Sequence, residues 1–317
     1  MAGHHWLESA ESSSVRARKS LRPIDLGAGL AVPDVRRLSA PMSSSVGGSL
    51  ARGMWALQRF GLSPEKLPAR VLNRSQPKVL CVSIPKSGTH LIERALCLHP
   101  RLYRRVLPTV KSANLHRWGD LDRLLAPLRP GQVVMAHLPY EPDYPKITAT
   151  RGISPIFVIR DPRDVVVSEA HYLAANRSHR LHALFSGQAT LKDMVLLNVR
   201  GNQEHGVFSI GEKLGRYRGW LDSGALVVRF EDLIGEAGGG DDAAQLATLR
   251  AIFEHIGLPP DDGFLARLGP RLFSRRSPTF RKGAIGAWRE SFDQEVLEAF
   301  EESAGPYLEP YGYAHAR

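Results

Sequence analysis

KVLCVSIPKSGTHLIERALCL, residues 78–98, decides the fold of this chain. Val79, Leu80, Val82 and Ile84 form a short apolar run around Cys81 and Ser83, which suits a strand covered on both faces. Pro85 stops the strand. Lys86, Ser87, Gly88 and Thr89 then place a cation, two hydroxyls and a permissive glycine where the chain turns, and Leu91, Ile92, Ala95, Leu96 and Leu98 follow at helical spacing. A strand, a tight loop and a helix N-terminus make an anion site, because loop amides and first-turn N–H groups point at one spot. An ordinary βα turn would use similar residues. The spacing GxxxxGK[ST] is missing and Lys86 precedes Gly88, so ATP hydrolysis is not the natural reading.

A chain of 317 residues, 43% hydrophobic, can bury one large core without disulfide staples. Cys81 and Cys97 both fall in predicted buried elements and read as reduced core thiols in a reducing, cytoplasmic compartment. No apolar run reaches the roughly 18–20 residues of a membrane span. The formal net charge is +10, but residues 1–75 hold 11 Lys and Arg against 5 Asp and Glu, so six of those charges sit there. The remainder is only mildly basic and shows no clustered cationic helix or face, which argues against a nucleic-acid partner and fits a small anionic ligand.

Residues 1–50 are rich in Ser, Ala, Gly and Arg and are expected to be disordered. Residues 51–75 are expected to be a short amphipathic helix and a linker, and residues 76–317 a catalytic domain. Met54, Trp55, Leu57 and Phe60 give residues 50–62 an apolar side, which would dock on the domain or make a peripheral membrane contact. A basic helical turn is expected at 101–105, then a polar stretch to Pro130. Residues 132–136 form a second strand running into His137, which reads as a ligand-handling residue or a core histidine bonded to backbone. A third strand, 155–159, ends at Arg160, after which Asp161 as N-cap and Pro162 at N1 open a helix. Ser168 lies two turns along it, so Arg160 and a hydroxyl converge as a phosphate monoester requires, unless Arg160 pairs with Asp161 or Asp164. Residues 171–208 read as an irregular substrate-covering segment. A fourth strand is expected at 225–229, and the basic loop 270–282 carries five cations, by default a solvated charge run, of which Arg281 and Lys282 with the following Gly283 are expected to bind an anion. Strands alternating with helices give a single α/β domain with a central parallel sheet and one site along its C-terminal edge.

Four segments in order resemble one family, the PAPS-dependent sulfotransferases of the cytosolic type: PKSGTHL at 85–91, AHLP at 136–139, IRDPRDVVVS at 159–168 and RKGAIGAW at 281–288. The resemblance implies a P-loop-like fold. It also implies that Lys86 and the amides of Ser87, Gly88, Thr89 and His90 hold the 5′-phosphosulfate of PAPS, which leaves as PAP. Arg160, Ser168, Arg281, Lys282 and Gly283 would bind the 3′-phosphate. His137 would act as general base toward an acceptor hydroxyl or amine, and no metal is implied. The acceptor, whether small molecule, lipid or glycan, and the oligomeric state stay open. The chain departs from the family pattern at His90 (the family's second threonine), Leu91 (an aromatic), Met135 (a lysine), Phe230 (a tyrosine) and Ala287 (an aspartate), and the family's dimerisation stretch is not recognisable at 274–280. Two other classes stay open on the residues alone: a P-loop phosphotransferase or nucleotide kinase, and a non-catalytic nucleotide-binding or membrane-peripheral protein.

Overall fold

The computed structural model describes residues 46–67, 71, 75–273 and 284–315. The tail up to residue 45, the 274–280 stretch and the Arg281–Lys282–Gly283 segment lie outside the described residues.

Six strands form one sheet: β1 (Lys78–Ser83), β2 (Tyr103–Arg104), β3 (Val110–Lys111), β4 (Gln132–His137), β5 (Ile153–Ile159) and β6 (Leu226–Arg229). Every pairing is parallel, in the order β2-β4-β1-β5-β6, with β3 also pairing β4. The apolar alternation of β1 explains the layers. Leu80 and Val82 face one core with Val134, Ala136, Phe157 and Ile159, while Val79 and Cys81 face the other with Val133, Met135, Ile156 and Val158. The first core is covered by α3 (Pro162–Ala175), α4 (Leu191–Arg200), α5 (Ile210–Tyr217) and α7 (Gln294–Leu308). The second is covered by α2 (Thr89–Leu98) and α6 (Asp242–His255). Covering both faces is what near-continuous apolar strands require. Both cysteines are buried and unpaired.

Three expectations need correction. Residues 101–105 do not form a helical turn: Tyr103 and Arg104 are β2, fixed by pairing with Gln132 and Val133. The stretch to Pro130 contains β3 and a short helix, Leu121–Leu125. Residues 171–208 are not irregular: α3 continues to Ala175, a short helix spans His182–Ser186, and α4 follows. The start of α4 is a reciprocal capping box between Thr190 and Asp193, and Val195, Leu196 and Val199 bury its inner face.

Helix α1 (Val46–Arg59) docks on the domain. Trp55 packs against the second core under Arg94, whose guanidinium lies 4.9 Å from the Trp55 ring, and Arg59 pairs with Glu93. Met54 and Leu57, 63% and 47% exposed, remain outside that contact. No helix among the described residues is long and apolar enough to cross a membrane.

Glu93 anchors this corner. Its carboxylate is 2% exposed and accepts from Arg104 at 2.7 Å as well as from Arg59, with His90 Nδ1 at 3.5 Å. Burial alone would push the carboxyl up, but His90, Arg104 and Arg59 outweigh it and hold it at about 2. An acid whose folded pKa is depressed stabilises the fold above its ordinary value near 4.5 and loses that contribution as the pH falls toward 2. We expect Glu93→Gln to cost about 3–5 kcal/mol at neutral pH, since it leaves buried cations unpaired. In denaturant titrations the margin over the variant should shrink below about pH 4.5; a margin independent of pH would contradict this assignment.

Candidate active site

The C-terminal ends of β1, β3, β4 and β5 share one edge of the sheet, and the candidate residues stand there. At the end of β1, Pro85 is followed by Lys86 at φ 72°, the one non-glycine residue with positive φ among those described. Ser87 N–H closes this turn on Ile84 C=O at 3.1 Å, the pattern of a type II turn with lysine where glycine is usual. Holding lysine there costs about 1–3 kcal/mol, and such strain collects at ligand-binding loops. Gly88 follows at φ 96° as the N-cap of α2, with no side-chain cap, so the first-turn amides of Thr89 and His90 have no intrahelical acceptor. Thr89 Oγ1 ties the loop back to Ser83 Oγ at 2.8 Å. Lys86 Nζ lies 4.4 Å from the centre of the Tyr172 ring on α3, so the lysine reaches across the crevice.

His137 ends β4. Its Nδ1 is 2.8 Å from the Ser83 carbonyl oxygen, which only accepts, so Nδ1 carries the proton and Nε2 keeps its lone pair. Burial, more than the Lys111 and His90 charges, lowers the imidazole to about 4, against the opposing pull of the Ser83 bond. The ring is therefore neutral at physiological pH, with one nitrogen able to accept a proton.

Arg160 follows β5 and is bound on several sides. Its Nη2 donates to Ala284 O at 3.0 Å and lies 3.5 Å from Asp164, while the guanidinium stands 4.4 Å over the Phe230 ring. The alternative pairing with Asp164 is thus present, whereas Asp161 pairs with Arg163 at 2.8 Å. Asp164 also accepts from Gly286 N at 2.8 Å and Trp288 N at 3.0 Å, fixing the chain that follows the basic loop onto the start of α3. Ser168 is half-buried on α3, and no hydrogen bond joins it to Arg160 among the described residues. The sequence-based site thus divides: Lys86, Ser87, Gly88, Thr89, His90 and His137 gather at the β1 and β4 ends, Arg160 stands at the β5 end, and Arg281, Lys282 and Gly283 lie outside the described residues.

The sequence reading missed Phe230 as the link between these parts. A Cβ on Gly88 would meet Phe230 Cδ2 at 2.6 Å, and the same ring carries Arg160 on it. Only the positive φ and the glycine itself hinted at such a close approach. The residues fit an anionic donor on their own chemistry: Ser87 Oγ and Arg160 Nε are buried with no hydrogen-bond partner among the described residues, beside a strained lysine turn and an uncapped helix N-terminus. We expect Gly88→Ala to weaken nucleotide binding and cost about 1–3 kcal/mol in a thermal melt, through both the left-handed φ and the clash. Wild-type stability and affinity in that variant would show the contact with Phe230 to be unimportant.

The sulfotransferase domain family matches residues 76–239, just over half of the chain. The 3-alpha-hydroxysteroid sulfotransferase of Cavia porcellus is 25% identical over 251 residues, covering 70% of this chain and 80% of that protein. Among solved structures, mouse sulfotransferase SULT7A1 complexed with PAP superposes with a TM-score of 0.54 at 19% identity, over 78% of this chain and 92% of the other. Retinol dehydratase in a complex with retinol and PAP gives 0.50 at 18% identity, over 80% and 87%. These structures share the fold, a parallel sheet with flanking helices of the P-loop-like kind. By its domain match, its motifs and its relatives, the chain belongs to the sulfotransferase family and is a PAPS-dependent sulfotransferase.

Proposed function

We propose that the enzyme moves the sulfuryl group of PAPS to a hydroxyl or amine of a small-molecule, lipid or glycan acceptor, with His137 as general base. The observation that carries this reading is the 2.8 Å contact of His137 Nδ1 with the Ser83 carbonyl, which leaves Nε2 basic at the sheet edge. In it, Lys86 and the amides of Ser87, Gly88, Thr89 and His90 hold the 5′-phosphosulfate. Arg160 and Ser168, with Arg281, Lys282 and Gly283, hold the 3′-phosphate. Its support is Ser87 Oγ and Arg160 Nε, buried with no partner among the described residues, and the Asp164 and Ala284 contacts that bring the chain after the basic loop to Arg160.

The acceptor oxygen forms the new bond to sulfur as the bond from sulfur to the phosphate oxygen breaks. His137 takes the acceptor proton, and PAP departs with the bridging oxygen. Positioning and charge stabilisation supply most of the acceleration, as in phosphoryl transfer, with little covalent work for the protein. Lys86 is the cation nearest that leaving oxygen in this arrangement. The names of two relatives, a hydroxysteroid sulfotransferase and a retinol-bound dehydratase, favour an apolar alcohol. A cytoplasmic location agrees with the unpaired thiols of Cys81 and Cys97. Peripheral membrane contact through residues 50–62 is supported by the exposure of Met54 and Leu57 alone.

His137→Ala should lower kcat by about 10²–10⁴-fold with PAP affinity near wild type. Because the base is lowered to about 4, wild-type kcat should be flat from neutral pH downward and fall as the pH passes through that value. Turnover of the variant comparable to wild type would remove His137 as the base.

A further inference from the structure

One helix faces both cations of the proposed donor site. Near its start α3 offers Asp164 to Arg160 at 3.5 Å, and about two turns further on it places the Tyr172 ring 4.4 Å from Lys86 Nζ. Tyr172 also stands four residues after Ser168, on the same side of the helix. The ring is held from several directions. Asn176, which caps the end of α3, donates its backbone N–H to the Tyr172 carbonyl at 3.0 Å and its side-chain amide to the phenolic oxygen at 2.9 Å. Asn176 Oδ1 in turn accepts from Ser178 Oγ at 2.8 Å. The His179 ring lies edge-on with its centre 6.1 Å away, and Tyr172 itself packs against the first core.

We propose that Tyr172 is a positioning residue for the sulfuryl donor: the face of its ring holds the Lys86 ammonium in place for the 5′-phosphosulfate. This rests on the reading of Lys86 as a donor-binding residue. The Lys86 backbone is fixed at φ 72°, but a four-carbon stem separates it from the ammonium, and that stem must be ordered before the charge has one position. A ring face supplies the missing hold, because its quadrupole attracts the ammonium. Being uncharged, the ring leaves the positive charge available to an arriving anion, where a carboxylate would neutralise it. The Asn176 bond runs to the hydroxyl at the edge of the ring, so it sets the orientation of the ring while the face stays with Lys86. Tyr172 thus acts on the donor through Lys86, as Asp164 acts through Arg160.

The test is PAP affinity by calorimetry in the full chain, with a graded series at one position. Tyr172→Leu should weaken PAP binding about five-fold, the scale of a partly desolvated cation–π contact. Tyr172→Phe should stay within about two-fold of wild type, because the ring face is retained. Mono-, di- and trifluorinated phenylalanine at the same position keep the shape and drain the negative face, so affinity should fall stepwise toward that of Tyr172→Leu. In a Lys86→Met background, Tyr172→Leu should cost nothing further. Affinity that stays flat along the fluorinated series, or that rises in Tyr172→Leu, overturns the proposal. So does a Tyr172→Leu loss of equal size with and without Lys86. The fluorinated series leaves the packing unchanged and decides alone if Tyr172→Leu does not fold. Failure of the donor reading shows separately, as wild-type PAP affinity in Lys86→Met.

Discussion

The site depends on the absence of one side chain. Gly88 leaves room for the Phe230 ring, which would stand 2.6 Å from a Cβ there, and Phe230 in turn supports the Arg160 guanidinium at 4.4 Å. One ring thereby packs against the loop after β1 and the arginine after β5, two segments more than 70 residues apart. With Lys86 locked at positive φ on one side and Arg160 held by Asp164 and Ala284 on the other, the two cations are fixed before any ligand arrives. Preorganisation of this kind lowers the ordering cost of binding a flexible polyanion. The replacement of the family's tyrosine by Phe230 keeps the ring, which is the part this packing uses.

In the proposed function the parallel sheet adds His137 to that clamp. Its alternation commits one residue of each pair to the core and the next to the opposite face, so the last residues of β1, β4 and β3 form a row. Burial at this edge explains the neutral His137, and the Ser83 carbonyl selects its tautomer. Glu93, bound by Arg104, Arg59 and His90, stiffens α2 directly behind the loop. His90 belongs both to that network and to the loop, which gives a physical place to the residue that departs from the family's second threonine. Leu91, where the family has an aromatic, is partly buried against the second core.

Much of this was legible in the sequence because it is local. The apolar run of β1, Pro85, Gly88 and the helical spacing after it lie within 21 consecutive residues, and Asp161 and Pro162 at the start of α3 are neighbours in sequence. The helices between 171 and 208 were not, because their His, Arg and Asn content hid the Thr190–Asp193 capping box and the buried Val195 and Val199. β2 and β3 are two residues long, too short for any alternation to register, and exist through pairing with β4. The contacts of Arg160 with Asp164 and Phe230 were open to suspicion in the first case and hidden in the second, where 70 residues separate the partners.

In the proposed function, one loop and one arginine form a clamp for two separate phosphates. Calorimetric titration with PAP, with 5′-AMP and with ATP plus Mg²⁺ tests it most directly. PAP should bind with or without magnesium, and loss of the 3′-phosphate should weaken binding by about a hundredfold, the scale of two charge-assisted hydrogen bonds. Equal affinity for PAP and 5′-AMP, or tight magnesium-dependent binding of ATP in place of PAP, would contradict the account.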